Sequence, residues 1–172
     1  MKRNLVLIGF MGTGKTTIGE ALAAKLGLAR VDSDQWIEQQ QGRKIREIFE
    51  AHGEPYFRQL ETQALKQILQ QENQVVMTGG GAPIKAENKE IMLNGGQVVC
   101  LNANVSTIIE RLKQDTSRPL LQGNLEERVI TLMEQRKDVY SFAPIQIDTT
   151  NKNIEAIVTE IEMLLKTRDD WS

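Results

Sequence analysis

The stretch GFMGTGKT, residues 9–16, matches the pattern G-x-x-x-x-G-K-[ST] and stands between an apolar run and an amphipathic segment. In this setting the glycines let backbone N–H groups turn inward around phosphate oxygens, and the N-terminus of the following helix adds a favourable dipole. Lys15 is placed to contact the β- and γ-phosphates, and the Thr16 hydroxyl to ligate Mg²⁺. The pattern and its context predict a nucleotide-binding loop in preference to an ordinary glycine-rich turn.

Two carboxylates one residue apart follow in VDSDQW, residues 31–36. If Val31 ends a strand, the period of two points Asp32 and Asp34 to the same face. Asp32, nearer the strand, is predicted to hold Mg²⁺ directly or through water. Asp34 is predicted to orient a substrate hydroxyl for in-line attack or to take its proton. The alternative is that Asp34 caps the N-terminus of a helix.

Three further sites suggest an anionic ligand. Three consecutive glycines in TGGGA, residues 78–82, let a ligand approach the backbone closely. Arg58 lies three residues before Glu61, which can hold its guanidinium in place, although a solvated surface pair would look the same. Arg136 follows Leu132 and Met133 along the apolar side of a predicted helix. Two such arginines indicate a carboxylate in the acceptor, because the guanidinium fork matches it bidentately.

The composition is that of an ordinary globular domain. The chain has 172 residues, of which 26% are charged, and a net charge of −2, so it is expected to fold as one domain that neither coats nucleic acid nor is disordered. One cysteine, Cys100, excludes an internal disulfide and suggests a reducing compartment. The apolar run near the N-terminus is too short for a signal sequence, and no stretch has the length of a membrane span. A soluble, cytosolic protein is expected.

Strand and helix patterns alternate along the chain. Short β-branched runs predict strands at 4–9, 29–32, 74–79, 97–102 and 144–148. Helical patterns begin at Lys15 and after Gly53, and later ones cover about 104–113, 124–140 and 153–167. This alternation predicts a doubly wound α/β domain with right-handed crossovers.

The phosphate-binding motif alone leaves several classes open. A switch GTPase needs an N-K-x-D segment, but the chain has Ile154 where the aspartate should stand after Asn151 and Lys152. The remaining classes are a small-molecule kinase, a nucleotide kinase and a non-catalytic nucleotide-sensing module.

The combination of motifs resembles the shikimate kinases. It comprises GFMGTGKT, D-x-D at 32–34, F-x-x-x-G-E-x-x-F-R-x-x-E from Phe49 to Glu61, GGGA at 79–82, RPLL at 118–121 and R-x-x-x-Y from Arg136 to Tyr140. The resemblance covers nearly the whole chain. It implies a three-layer α/β/α P-loop fold like that of the nucleoside monophosphate kinases, with a five-stranded parallel sheet of order 2-3-1-4-5. It also implies transfer of the γ-phosphoryl of ATP to the 3-hydroxyl of shikimate, with Mg²⁺ as cofactor.

The resemblance also assigns residues to roles. Asp34, Lys15 and Arg118 are the implied catalytic residues, and Arg118 comes from a mobile lid at about 112–124. The acceptor-binding segment spans about 33–61, and Glu61 fixes Arg58 in place. The implied ATP-binding residues are Gly12, Thr13, Gly14, Lys15, Thr16, Thr17, Arg111, Arg118 and Lys152. The implied acceptor-binding residues are Asp34, Arg58, Gly79, Gly80, Gly81 and Arg136, and the implied metal ligands are Thr16 and Asp32.

The expected partners are therefore small molecules, shikimate and ATP, with no nucleic acid and no membrane, and the resemblance implies a monomer. A gluconate-type sugar-acid kinase stays open as an alternative, because it shares the phosphate-binding loop and an anionic polyol acceptor. A nucleotide-sensing module without turnover is the alternative outside the enzymes.

Overall fold

Parallel strands alternate with helices in the computed structural model of this chain, which describes residues 3–114, 124–168 and 171. The strands are β1 (Asn4–Ile8), β2 (Ala29–Asp32), β3 (Gln74–Met77), β4 (Gln97–Asn102) and β5 (Ile145–Asp148). The helices are α1 (Lys15–Leu26), α2 (Ser33–Gln41), α3 (Ile45–Ile68), α4 (Ala86–Gly95), α5 (Val105–Lys113), α6 (Leu125–Gln135) and α7 (Ile154–Lys166), with a short 3₁₀ turn at Ala82–Ile84. All five predicted strands are confirmed.

The strand order is β2-β3-β1-β4-β5, and every pair is parallel. The central strand β1 pairs Leu5 with Val75 on one side and with Gln97 on the other. Because parallel strands end at the same edge of a sheet, the segments that follow β1, β2 and β3 lie side by side. These segments are the three glycine-rich or acidic motifs of the sequence. The order 2-3-1-4-5 implied by the resemblance is confirmed.

Apolar side chains cover the sheet on both faces, which makes the fold three-layered. Leu5 and Leu7 of β1 pack with residues of α1 and α7, whereas Val6 and Ile8 pack with residues of α3, α5 and α6. The alternation follows the period of two along a strand. Both faces are buried in β1, β3 and most of β4, so these strands read as continuous apolar runs in the sequence. The edge strands β2 and β5 are partly exposed and contain polar residues.

Three helical segments differ from the sequence-based prediction. Helix α3 begins at Ile45, well before Gly53, and consists of two helical pieces joined at that glycine, whose φ of 78° and ψ of 174° are non-helical. Pro55 then stands in the first turn of the second piece, where a missing N–H costs nothing. Helix α4 was not predicted, and α6 ends at Gln135 instead of continuing to residue 140.

The longest helix in the described ranges is α3, with 24 residues. Neither it nor any other helix of residues 3–114 and 124–168 combines the length and the apolar character needed to cross a bilayer.

Two glycines that follow helices differ in the reason for which a side chain would be unfavourable: lack of room at one and a left-handed backbone at the other. Gly96 has an extended φ of 174°, which any residue adopts, but a Cβ there would lie 2.7 Å from Asn4 Cβ in the buried strand β1. Gly27 has φ of 65°, and nothing lies within 4 Å of its Cβ position.

We predict that Gly96→Ala lowers the free energy of unfolding by about 3 kcal/mol, because β1 and β4 must separate. The matched change Gly27→Ala is expected to cost about 1 kcal/mol, through its left-handed backbone alone. Urea unfolding of both variants measures the difference. Equal losses would show that Gly96 is not a close-packing position.

Candidate active site

The phosphate loop, residues 9–16, connects β1 to α1 as predicted. Three of its glycines have positive φ, with values of 145° at Gly9, 80° at Gly12 and 99° at Gly14. The Lys15 ammonium lies over the loop and donates to the carbonyl oxygens of Gly9 and Phe10 at 2.7 and 2.9 Å. The loop therefore curls around the lysine at the N-terminus of a helix, which is the arrangement that binds phosphate.

Thr149, which directly follows β5, braces this loop from behind. Its buried hydroxyl lies 3.1 Å from the carbonyl oxygen of Thr13 and 3.0 Å from that of Asn102. Arg111 of α5 reaches the same place, because Nη1 donates to the Gly12 carbonyl at 3.1 Å and Nη2 donates to the Thr149 carbonyl at 3.3 Å. The phosphate loop is thus tied to β4, β5 and α5 by hydrogen bonds that hold its shape.

The two aspartates occupy different elements, and this corrects the expectation from strand periodicity. Strand β2 ends at Asp32 and helix α2 begins at Ser33, so Asp34 lies in the first helical turn. Asp32 is the N-cap residue, and its Oδ1 accepts from the N–H groups of Asp34 and Gln35 at 2.9 and 3.1 Å. The alternative that Asp34 caps the helix is therefore wrong, because Asp32 has that role.

A cavity of about 410 Å³, the phosphate-loop cavity, opens over these segments. The predicted site residues that line it are Gly12, Gly14, Lys15, Thr16, Thr17, Asp32, Asp34, Gly79, Gly80 and Arg111. Thr13 contributes differently, since its side chain is buried and its hydroxyl donates to the Phe10 carbonyl at 2.7 Å. The structure thus brings together the phosphate loop, the aspartates and the loop after β3.

The glycine loop, residues 79–81, makes room for charged side chains of the protein itself. A Cβ on Gly79 would lie 2.9 Å from Asp34 Oδ1 and 3.2 Å from Glu61 Oε2, and one on Gly81 would collide with the Arg58 guanidinium. A Cβ on Gly80 would lie 3.7 Å from Arg136 Nη1. Each glycine therefore borders a different part of one charged cluster, and a side chain at Gly79 or Gly81 would displace it.

Arg58 is held in a buried ion pair. Its side chain is 13% exposed, and Nη1 donates to Oε1 of Glu61, whose side chain is 1% exposed, at 2.9 Å. Nε and Nη2 donate to Oε1 of the exposed Glu54 at 3.3 and 3.0 Å. The alternative of a solvated surface pair is thus wrong. A guanidinium has five N–H groups, and the hydrogen bonds to other described residues use three of them.

The Glu61 carboxyl is an unusual buried acid. Burial raises its pKa from 4.5 to about 7, because it outweighs the lowering by Arg58, and the negative charge of Asp34 adds to the increase. Oε2 accepts no hydrogen bond from the described residues. The carboxyl therefore titrates near neutral pH while it holds Arg58 in place.

Arg136 stands just beyond the C-terminus of α6, and not along the helix as the sequence suggested. It is the C-cap residue, and its N–H donates to the Leu132 carbonyl at 3.0 Å. The residue is 8% exposed, and its guanidinium carbon lies 5.9 Å from the centre of the Phe10 ring. Because the helix ends here, the side chain reaches the glycine loop instead of following the helix face.

A second cavity of about 150 Å³, the arginine cavity, adjoins the first. Its charged residues are Asp34, Arg58, Glu61 and Arg136, and its apolar wall is formed by Met11, Ile45, Phe49 and Phe57. The Phe49 and Phe57 ring centres lie 4.8 Å apart. Asp34, Gly79 and Gly80 line both cavities, so the two meet at these residues.

Two predicted nucleotide contacts are not placed in these cavities. Lys152 pairs with Glu160 at 2.7 Å and does not line the phosphate-loop cavity, so its contact with adenine stays a prediction. Arg118 and most of the lid predicted at about 112–124 lie outside the described residues.

Sequence reasoning missed the residues that brace the site from behind. The Ser33 hydroxyl accepts from the Gly79 N–H at 3.3 Å, and Asn88 of α4 donates to the Ala82 carbonyl at 2.8 Å. Single polar residues of this kind have no motif, and α4 itself has the weak amphipathic pattern of AENKEIMLNG. The position of Ser33 between the two aspartates was the one available signal.

The fold and the two adjoining cavities, one at the phosphate loop and one with two arginines, are those of a P-loop phosphotransferase. The family model for shikimate kinase matches residues 11–166. The chain therefore belongs to the shikimate kinase family. Curated shikimate kinases are similar along nearly their full length. That of Geobacter metallireducens is 44% identical over 96% of this chain and 93% of its own, and that of Persephonella marina is 46% identical over 92% and 96%.

Solved structures agree with this assignment. A shikimate kinase from Acinetobacter baumannii in complex with shikimate superposes with a TM-score of 0.92 at 36% identity, covering 98% of this chain and 96% of that one. A shikimate kinase from Aquifex aeolicus gives a TM-score of 0.85 at 36% identity, covering 98% and 99%. This chain is accordingly an enzyme, a phosphotransferase of the kinase class, and the sensing module without turnover is not supported.

We predict that Glu61→Gln changes how stability depends on pH. A carboxyl whose pKa is raised in the folded state binds more protons there than in the unfolded chain, so the wild type loses stability as pH rises from about 4.5 to 7. Glutamine does not titrate, and the wild type should lose about 3 kcal/mol relative to the variant over this range.

Urea unfolding at pH 5 and at pH 8 measures this difference. Glu72→Gln makes the same change at an exposed position and should follow the wild type. Parallel pH profiles of Glu61→Gln and the wild type would contradict the prediction.

Proposed function

We propose that this chain transfers the γ-phosphoryl group of ATP to the 3-hydroxyl of shikimate, giving shikimate 3-phosphate and ADP, a step towards chorismate and the aromatic amino acids. The observation that carries the proposal is the junction of the two cavities at Asp34, Gly79 and Gly80. A nucleotide phosphate in one cavity and an anionic alcohol in the other meet at a carboxylate. Membership of the family and the shikimate complex of the similar Acinetobacter enzyme support the identity of the acceptor.

On the nucleotide side, the phosphate loop and Lys15 bind the β- and γ-phosphates. Phosphoryl transfer needs little covalent catalysis, so the rate enhancement comes from positioning of the reactants and neutralisation of charge. The loop is suited to this because Thr149 and Arg111 fix its carbonyl groups from behind. Arg111 lines the same cavity and is assigned to the adenine side of the nucleotide.

Thr16 and Asp32 are assigned to Mg²⁺. Both line the phosphate-loop cavity, and a hydroxyl and a carboxylate are the hard oxygen donors that this ion prefers. The capping bonds of Asp32 use Oδ1 and leave its Oδ2 without a hydrogen bond to the described residues. No group of three acidic, histidine or cysteine residues in the described ranges could hold a metal, which fits an ion that takes most of its ligands from phosphate and water. When bound, Mg²⁺ neutralises charge on the phosphates.

On the acceptor side, Arg58 and Arg136 bind the shikimate carboxylate. Arg58 has two N–H groups that the described residues do not use, and Arg136 borders the same cavity across the glycine loop. Among the described residues, none accepts a hydrogen bond from the N–H groups of Gly80 and Gly81, so these donors can bind the acceptor. The apolar wall with Phe49 and Phe57 packs against the ring.

Asp34 orients the attacking hydroxyl along the line to the γ-phosphorus and accepts its proton or its hydrogen bond. Its carboxylate is placed for this because it lines both cavities, on the first turn of α2. The neighbouring Glu61 carboxyl keeps Arg58 in position and does not touch the transferred group.

Other parts of the assignment rest on the family resemblance. They are the role of Arg118 and the lid at about 112–124, the adenine contact of Lys152, a single domain over 1–172 with an acceptor segment at about 33–61, a monomer and a cytoplasmic location. The catalytic set in this proposal is Asp34, Lys15 and Arg118.

The proposal is tested by ADP release from purified protein with ATP and either shikimate or gluconate. Release that depends on shikimate is expected, and little release is expected with gluconate. Preference for gluconate would support a sugar-acid kinase, and no acceptor-dependent release would refute the proposed reaction.

We predict that Asp34→Asn lowers kcat by about 10² or more and leaves ATP binding nearly intact, because an amide cannot take the proton. The matched variant Asp32→Asn keeps a good N-cap residue and should instead raise the Mg²⁺ concentration needed for half-maximal rate. Coupled ADP-release assays over a range of Mg²⁺ concentrations separate the two effects. Turnover of Asp34→Asn close to the wild-type value would remove this residue from the mechanism.

We predict that Arg58→Ala weakens shikimate binding by roughly 2–5 kcal/mol, because it removes a buried charge partner of the carboxylate. Arg46→Ala is the matched control, since Arg46 lies on the same helix and pairs with Glu50, but its side chain is 73% exposed. The KM values for shikimate and ATP are measured for both variants. An unchanged acceptor KM in Arg58→Ala would refute the carboxylate clamp.

A further inference from the structure

The phenol of Tyr140 connects two parts of the acceptor site that are distant in sequence. Tyr140 lies in the segment between α6 and β5 and is 9% exposed. Its hydroxyl donates to the carbonyl oxygen of Gly80 at 2.6 Å. A buried phenol without a hydrogen-bond partner would be costly, so this bond is a fixed part of the packing.

The same hydroxyl also lies beside the Arg136 guanidinium. Burial raises the pKa of Tyr140, and the charge of Arg136 and its hydrogen bond to the phenol only partly oppose this. The phenol therefore keeps its proton and can donate it to the Gly80 carbonyl, with the positive charge of Arg136 nearby. Arg136 Nη1 in turn lies 3.7 Å from the Cβ position of Gly80, so the guanidinium borders the same glycine whose carbonyl accepts from Tyr140.

The backbone of Tyr140 is anchored to the sheet. Nε2 of Gln146, in strand β5, donates to the Tyr140 carbonyl at 3.1 Å and to the Ala143 carbonyl at 3.1 Å. The N–H of Val139 donates to the Arg136 carbonyl at 3.0 Å and closes the turn between the two functional side chains. The hydroxyl therefore has a position set by the sheet, and it transmits that position to the glycine loop.

We propose that Tyr140 is a positioning residue for the acceptor, whose hydroxyl fixes the Gly80 peptide and the Arg136 guanidinium relative to each other. This inference rests on the proposed function. Tyr140 is not among the described residues that line either cavity of the active site, so it acts through its neighbours. Because the peptide group is planar, holding the Gly80 carbonyl also directs the Gly81 N–H to the opposite side. Three consecutive glycines are otherwise flexible, and ordering them in advance removes a cost that acceptor binding would carry.

The test is Tyr140→Phe, which keeps the ring and removes the hydroxyl. We expect the KM for shikimate to rise roughly three- to tenfold, the effect of one hydrogen bond, with the KM for ATP unchanged and kcat within about twofold of the wild type. Tyr56→Phe makes the same chemical change at the other tyrosine, which is 36% exposed and stacks on His52, and all three parameters should stay at wild-type values.

Hydrogen exchange without any ligand gives a second readout. Amides of residues 79–82 should exchange faster in Tyr140→Phe than in the wild type or Tyr56→Phe. All assays are run well below the thermal midpoint of Tyr140→Phe, so that a loss of global stability does not enter the comparison.

The outcomes separate the two proposals. An active wild type with an unchanged shikimate KM in Tyr140→Phe, or with equal changes in the KM values for shikimate and ATP, overturns the role of Tyr140. Unchanged exchange at residues 79–82 also overturns it. A wild type without shikimate-dependent ADP release refutes the proposed function, and the acceptor role of Tyr140 fails with it.

Discussion

The rest of the site depends on one buried pair of opposite charges, Arg58 and Glu61. Glu61 is nearly inaccessible and Arg58 is mostly buried, so the negative charge of Glu61 depends on Arg58, whereas Arg58 also pairs with the exposed Glu54. Removing one partner of a buried pair leaves an uncompensated charge, and this is why the surrounding loop must hold both in place. The attraction between them is strong for the same reason that their burial is costly: little water screens it. An acceptor carboxylate that enters such a pocket meets cations that are already oriented.

The parallel sheet makes this arrangement possible. The charged side chains come from three separate places: Asp34 from α2, Arg58 and Glu61 from α3, and Arg136 from the segment after α6. Asp34 and the glycine loop meet because β2 and β3 are neighbours that end at one edge. The other charged side chains reach the same glycine loop from α3 and from the segment after α6. The hydrogen bonds of Thr149 then extend the same support across β4 and β5 to the phosphate loop. The phosphate-loop cavity and the arginine cavity are therefore both supported by the one parallel sheet.

Much of this architecture could be predicted from the sequence, and the failures have physical causes. The inner strands β1, β3 and β4 are covered on both faces and are mostly apolar, so local composition revealed them, and the phosphate loop has a fixed spacing. The end of α6 and the existence of α4 depend on tertiary packing, which a local sequence pattern does not report. The capping role of Asp32 arises because helix α2 begins at Ser33, whereas the strand period assumed an extended backbone as far as Asp34. Tyr140 belonged to a recognised motif, but its bond to Gly80 spans 60 residues and has no local signal.

The glycine loop has a consequence for how such a protein can change over time. Gly79 and Gly81 are constrained by charged side chains that lie close to them, and not by left-handed backbone angles. A substitution at Gly81 would expel Arg58, and one at Gly79 would push apart Asp34 and Glu61. A viable replacement at Gly79 or Gly81 is therefore expected to need a second change in the charged residue that faces it, so these glycines and their charged neighbours form one mutually dependent group.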